Sequence, residues 1–220
     1  MCQRVCGVTY MERKIARYLL DIKAVFLRPQ EPFTWASGIK SPIYCDNRLT
    51  LSYPEVRNDI EEAIAQIIKE YYPECEAVMG TSTAGIPHAA LVAKILNLPM
   101  GYVRASAKDH GRSNQIEGKC EPKTKVVVIE DLISTAGSCI EVVSVLREND
   151  VEVLGVASIF TYGMKKGIDR FNEANVKNVS VSNYDVLLEV AAETNYIQKE
   201  DIKKLLAFRD NPSDASWMDI

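Results

Sequence analysis

The chain has 220 residues, 47% of them hydrophobic, with a formal net charge of −4 and a pI near 5.4, which suits one domain with a sizeable core. The acidic balance argues against a nucleic-acid-binding body. No apolar run reaches the roughly 18 residues a spanning helix needs, and MCQRVCGVTY lacks the apolar core of a secretory signal, so a cytoplasmic protein with no membrane partner is expected.

Taken in order, Met11 to Ala24 predicts an amphipathic helix with Ile15, Tyr18, Leu19 and Ile22 on one side. Phe26 to Asp46 is rich in Pro, Gly, Ser and aromatics and predicts two short strands about a Ser37-Gly38 turn. Such a hairpin is either a hood over a site or a passive edge. Ser52 starts a long helix to about Tyr72, with Pro54 in its first turn and Val56, Ile60, Ile64, Ile67, Ile68 and Tyr71 as its stripe.

From Glu76 strands and helices alternate. Strands are expected over Ala77–Thr81, Pro99–Arg104, Lys125–Asp131, Val151–Tyr162 and Val176–Ser182, and helices over Gly85–Asn97, Ile140–Asn149 and Lys165–Ala174. Tyr184–Thr194 and Gln198–Phe208 read as closing helices, and the polar tail after Arg209 as frayed. Repeated strand–helix units imply an α/β fold, a parallel sheet with helices on both faces. The 6 cysteines show no metal-like pairing and are read as reduced thiols.

Chemistry concentrates in KVVVIEDLISTAGSC, Lys125 to Cys139. Its apolar run suits a strand buried on both faces. Glu130 and Asp131 fall where that strand should end, beyond which ligands of open α/β sheets bind. The small residues after them let backbone N–H groups approach an anion, and the following helix N-terminus favours negative charge. A sugar phosphate would satisfy both halves, since neighbouring carboxylates accept hydrogen bonds from vicinal hydroxyls. The plain alternative is a buried strand with a polar turn.

Two other stretches lie where ligand loops belong. Gly80-Thr81-Ser82-Thr83-Ala84-Gly85 either cradles an anion or is a simple capped turn. Residues 104–118, RASAKDHGRSNQIEG, form a long polar excursion, either a solvated loop or a cationic lid carrying Arg104, Lys108, His110 and Arg112.

EDLISTAGS resembles the phosphoribosyl-diphosphate (PRPP) motif of type I phosphoribosyltransferases, and YVR with KDHG and NQIEG resembles the catalytic loop of the orotate phosphoribosyltransferases. The hood, with FTxxSGxKSPxY, is similar to the same enzymes, so the resemblance spans roughly residues 10 to 165. It implies a single type I phosphoribosyltransferase domain over 1–220, with a hood at about 26–48 and a mobile catalytic loop at about 105–122. The implied activity is Mg2+-dependent transfer of the phosphoribosyl group from PRPP to orotate, giving orotidine 5′-monophosphate and diphosphate, in pyrimidine synthesis. Arg104, Lys108, His110 and Asp131 would be catalytic. Glu130, Asp131, Leu132, Ile133, Ser134, Thr135, Ala136, Gly137 and Ser138 would join the three cations in holding PRPP.

Thr81, Ser82, Thr83 and Ala84 would meet diphosphate and Tyr44 and Cys45 the orotate ring, while Ser134 and Arg48 are candidates for its polar contacts. For Arg48 a surface ion pair is the competing reading. Mg2+ would be held mainly by substrate oxygens, and a homodimer would share its active sites through the loop. This chain has alanine at Ala36, where enteric relatives carry lysine, at Ala84, where some orotate enzymes carry lysine, and at Ala136, where many relatives carry glycine, and it has TYGMKKG (161–167) in place of a DRxE-type arginine. With alanine at 136, a right-handed loop geometry is expected there. A purine phosphoribosyltransferase and a PRPP-sensing regulator are the runners-up; the hood and KDHG argue against the first, and the acidic balance against the second.

Overall fold

A computed structural model describes residues 3–35, 38–105 and 115–220. A helix α1 (Gln3–Asp21) leads into four short strands, β1 (Val25–Leu27), β2 (Phe33–Thr34), β3 (Lys40–Ser41) and β4 (Ile43–Cys45). The expected single hairpin is thus two nested pairs, β2 with β3 inside β1 with β4, both antiparallel. A 3-10 turn (Asn47–Ser52) follows, capped by the Asp46 carboxylate on the Arg48 amide at 3.2 Å. Helix α2 (Pro54–Tyr71) then starts with proline at its first position, where no N–H is needed.

The α/β unit comprises β5 (Ala77–Thr81), α3 (Gly85–Leu96), β6 (Met100–Val103), β7 (Ile116–Glu117), β8 (Lys125–Ile133), α4 (Gly137–Glu148), β9 (Glu152–Thr161), α5 (Lys165–Glu173) and β10 (Asn178–Asn183). Helices α6 (Tyr184–Glu193) and α7 (Asp201–Asp210) and a 3-10 turn (Ala215–Asp219) close it. The sheet order is β10-β9-β8-β5-β6-β7, parallel except for the edge strand β7. Chain order reverses between β5 and β8, which makes their carboxyl ends the expected crevice. Strand β7, absent from the sequence-based reading, is only two residues long and has too little pattern to announce itself.

Alternation along β8 explains the layers. Val127 and Ile129 face one side, with Ile15, Leu19, Ile60, Ile64 and Val92 from α1, α2 and α3. Val126 and Val128 face the other, with Cys139, Val143 and Leu146 of α4. The α2 stripe is buried as expected at Val56, Ile60, Ile64 and Ile68, but Tyr71 is exposed, with Lys177 Nζ over its ring at 4.6 Å. Between α2 and α3, Glu61 Oε1 meets His88 Nδ1 at 2.6 Å, both fully buried, and burial raises the Glu61 carboxyl above its usual range.

The tail is not frayed. Trp217 is buried against Phe208, ring centroids 5.6 Å apart, and Asp214 Oδ1 caps the last turn by accepting from the Ser216 amide. One aromatic ring compensates for the polar residues around it, because its large apolar area outweighs them. Phe208 meets Trp35 of the hood at 5.7 Å, and Trp35 lies parallel to Tyr162, just past the end of β9. The C-terminus therefore props the hood.

Candidate active site

Strand β8 runs through Ile133, two residues beyond the expected end, and carries its acidic pair to the sheet rim. Consecutive strand residues face opposite ways, so the two carboxylates have different surroundings. Asp131 is half-buried, whereas Glu130 is 6% exposed. Glu130 Oε1 accepts from Thr81 Oγ1 at 2.7 Å and from the Asp131 amide at 3.0 Å. Burial first, then the Asp131 carboxylate, push the Glu130 carboxyl up to about 8, with the Thr81 hydroxyl acting against them.

A pH dependence follows with a defined sign. A carboxyl raised in the folded state binds its proton more tightly there than in the unfolded chain, so its stabilising contribution is complete below about 4.5 and lost as pH rises through about 8. Stability measured by urea denaturation should fall across that window in the natural chain, and Glu130→Gln should flatten the slope. An unchanged slope would place the titration elsewhere.

After β8 the chain turns through Ser134, Thr135 and Ala136 into α4. Ala136 has φ 59° and ψ 10°, so the expected right-handed geometry is wrong. The turn must reverse direction within the few residues between β8 and α4, and a left-handed residue does that at a cost of about 1 kcal/mol for alanine. No side chain caps α4, leaving the amides of its first turn available to an anion. Leu132 is half-buried and Ile133 buried; the Ile133 carbonyl accepts from the Tyr162 amide at 2.9 Å. Gly137 is half-buried and Ser138 exposed.

The 81–84 turn is tied to both neighbouring strands. Ser82 Oγ donates to the Val103 carbonyl at 2.6 Å, while Thr81 reaches Glu130. Thr83 is exposed, Ala84 half-buried, the Ser82–Thr83 peptide is cis, and α3 likewise begins without a side-chain cap. Gly85 is packed so closely that a Cβ would lie 2.4 Å from the Ile129 carbonyl oxygen. At the neighbouring edge, the Arg104 amide donates to the Gln115 carbonyl at 2.9 Å and Gln115 Nε2 returns a bond to the Arg104 carbonyl at 3.1 Å. That exchange ties Arg104 to Gln115, with Arg104 Nη1 3.8 Å from Glu117. Lys108, His110 and Arg112 lie outside the described residues, as does Ala36.

The hood docks through Asn47, a residue the sequence-based reading missed. Its Nδ2 donates to the Asp131 carbonyl at 2.7 Å and its Oδ1 contacts Cys45 Sγ at 3.2 Å. Tyr44, 43% exposed, packs on Phe33. Arg48 is engaged by Asp46 through Nε at 2.7 Å and Nη2 at 2.8 Å, at the surface, and that pairing holds the Asp46 carboxyl below its usual range. An orotate contact from Arg48 would require that pair to open. No periodicity marks Asn47, because its role depends on a strand far along the chain.

Among the described residues no group of three or more His, Cys, Asp or Glu is gathered to hold a metal, and Cys45, Cys75, Cys120 and Cys139 are free thiols. The rim does offer Asp131, which suits an ion that keeps waters and phosphate oxygens as most of its ligands. No helix among the described residues is long and apolar enough to cross a membrane.

The arrangement can hold a polyhydroxylated, doubly phosphorylated ligand: a carboxylate at the rim, the uncapped starts of α3 and α4 on either side, and Arg104 at the neighbouring edge. A family model described as phosphoribosyl transferase domain matches residues 51–191. The orotate phosphoribosyltransferase of Bacillus subtilis is 56% identical over 96% of this chain and 98% of its own length. That of Listeria innocua is 57% identical over 92% of this chain and 97% of its own. The crystal structure of orotate phosphoribosyltransferase from Aeropyrum pernix superposes with a TM-score of 0.72 at 30% identity, covering 83% of this chain and 99% of that one.

Proposed function

The chain belongs to the orotate phosphoribosyltransferases, pentosyltransferases of pyrimidine synthesis, and we propose that its whole length works as one catalytic domain with the β5–β8 rim as the PRPP site. In the reaction orotate N1 bonds to C1 of the ribose as the C1–O bond to diphosphate breaks. Positive charge grows on the sugar and negative charge on the leaving group, so catalysis is positioning and charge stabilisation, with no covalent nucleophile required.

Asp131 accepts from the ribose hydroxyls and offsets the developing charge on the sugar. Glu130, buried, holds Asp131 and the 81–84 turn in one frame rather than acting as an equal partner. The amides from Ser134 to Ser138 receive the 5′-phosphate, and the 81–84 turn receives the diphosphate through Thr83 and Ala84, the Ser82 amide being engaged by the Val103 carbonyl at 3.3 Å. Arg104, with Lys108 and His110 by family resemblance, neutralises the leaving group. Hood residues Tyr44 and Cys45, with Ser134, flank the pyrimidine, Arg48 being free to join only after leaving Asp46. Mg2+ would be held mainly by substrate oxygens, with Asp131 able to serve as a protein donor, and would neutralise diphosphate charge. A cytoplasmic homodimer in which the 105–122 loop reaches the partner's site completes the reading.

The observation that supports it most directly is the Thr81–Glu130 bond, which joins an anion-binding turn to an acidic pair at the sheet's switch point. The test is an assay of purified protein with orotate, PRPP and Mg2+, following the pyrimidine absorbance, with adenine and hypoxanthine as controls. Turnover with orotate alone is expected; turnover with a purine base instead would overturn the assignment. Lys108→Ala is expected to lower kcat far more than PRPP affinity, and equal losses in both would mean simple binding.

A further inference from the structure

Helix α5 lies directly behind the Ser134–Gly137 turn, and two glycines make that approach possible. A Cβ on Gly167 would sit 2.8 Å from the Ser134 carbonyl oxygen, and one on Gly137 would sit 3.0 Å from Arg170 Nη1. Into this gap Arg170 projects its guanidinium, and Nη1 donates to the Thr135 carbonyl at 2.7 Å. The side chain is half-buried and forms a wall common to two clefts, of about 630 Å³ and 520 Å³, that flank the turn. Among the described residues it has no carboxylate within ion-pair distance, although Asp169 and Glu173 line the second of those clefts with it.

Peptide geometry gives that bond a consequence. The Thr135–Ala136 peptide is trans, so its carbonyl oxygen and its N–H point in opposite directions. Drawing the Thr135 carbonyl back onto Arg170 turns the Ala136 N–H away from α5. The left-handed conformation of Ala136 lies immediately after the fixed peptide. A cation bonded to that carbonyl also polarises the peptide and strengthens its N–H as a donor.

We propose that Arg170 is a positioning residue for the phosphomonoester end of the sugar substrate: it sets the Ala136 amide for the 5′-phosphate without touching the ligand. This rests on the PRPP reading above and assigns to α5 a role that the motif EDLISTAGS by itself does not contain. Among the described residues no hydrogen bond or ion pair joins Arg170 to the 81–84 turn, so the two ends of the substrate should respond differently.

The experiment compares the natural chain with Arg170→Met and Arg170→Lys. Steady-state rates give kcat and KM for PRPP, and ribose 5-phosphate and inorganic diphosphate serve as separate inhibitors. In Arg170→Met, KM for PRPP and the inhibition constant for ribose 5-phosphate should each rise about tenfold, with diphosphate inhibition unchanged. Arg170→Lys, which keeps a charged donor, should recover part of the loss and serves as the test should Arg170→Met fold poorly. Equal weakening of both inhibitors, or of neither, would overturn the proposal. If the natural chain does not turn over PRPP and orotate, the PRPP reading itself fails, an outcome separate from any effect of Arg170.

Discussion

Gly85→Ala is expected to lower kcat/KM for PRPP by about 100-fold. The added methyl would sit 2.4 Å from the Ile129 carbonyl oxygen and 2.5 Å from Thr81 Oγ1. The Ile129 oxygen belongs to the central strand of the sheet and cannot swing aside, so the 81–84 turn must move. Its bond to Glu130 would be lost with it, separating that turn from the acidic pair. Overpacking of this kind also costs about 1–3 kcal/mol of stability. Initial rates at varied PRPP, with a thermal melt beside them, check both parts; a variant with natural KM and kcat would show that the turn does not hold substrate where proposed.

Trp217→Ala should be the most destabilising single change near the C-terminus, by about 3–5 kcal/mol, because it empties a buried aromatic site. At this chain length that corresponds to a fall in Tm of roughly 10 °C. A functional effect follows from the ring series Trp217, Phe208, Trp35, Tyr162. With Trp217 gone, Phe208 loses its support and Trp35 of the hood loosens, so KM for orotate should rise while KM for PRPP holds. Trp217→Phe should restore most of both. An unshifted melting curve would mean that the tail is free in solution.

Much of the fold was legible because its signals are local. The run Val126 to Ile129 is apolar at every position and is buried on both faces, as a central parallel strand must be. Pro54 announced the start of α2 within two residues. The placement of Glu130 and Asp131 at the rim was legible for the same reason, since an apolar run ends there. The tail was misread by the same logic: a composition-based judgement of Asn211 to Ile220 weights every polar residue, while one buried indole decides the outcome.

Sequence by itself determined the alternation of strands and helices, the sites of the loops and the chemical types gathered in them, since each is written in contiguous residues. Tertiary structure alone decided that Glu130 turns inward to Thr81, 49 positions away, that Asn47 reaches Asp131 across 84, and that Arg170 stands behind Thr135 across 35. It also decided the left-handed geometry at Ala136, which depends on how far α4 must swing to pack on the sheet. A hydrogen bond between distant segments depends on the positions of both partners, and those follow from packing the whole core rather than from any pattern along the chain.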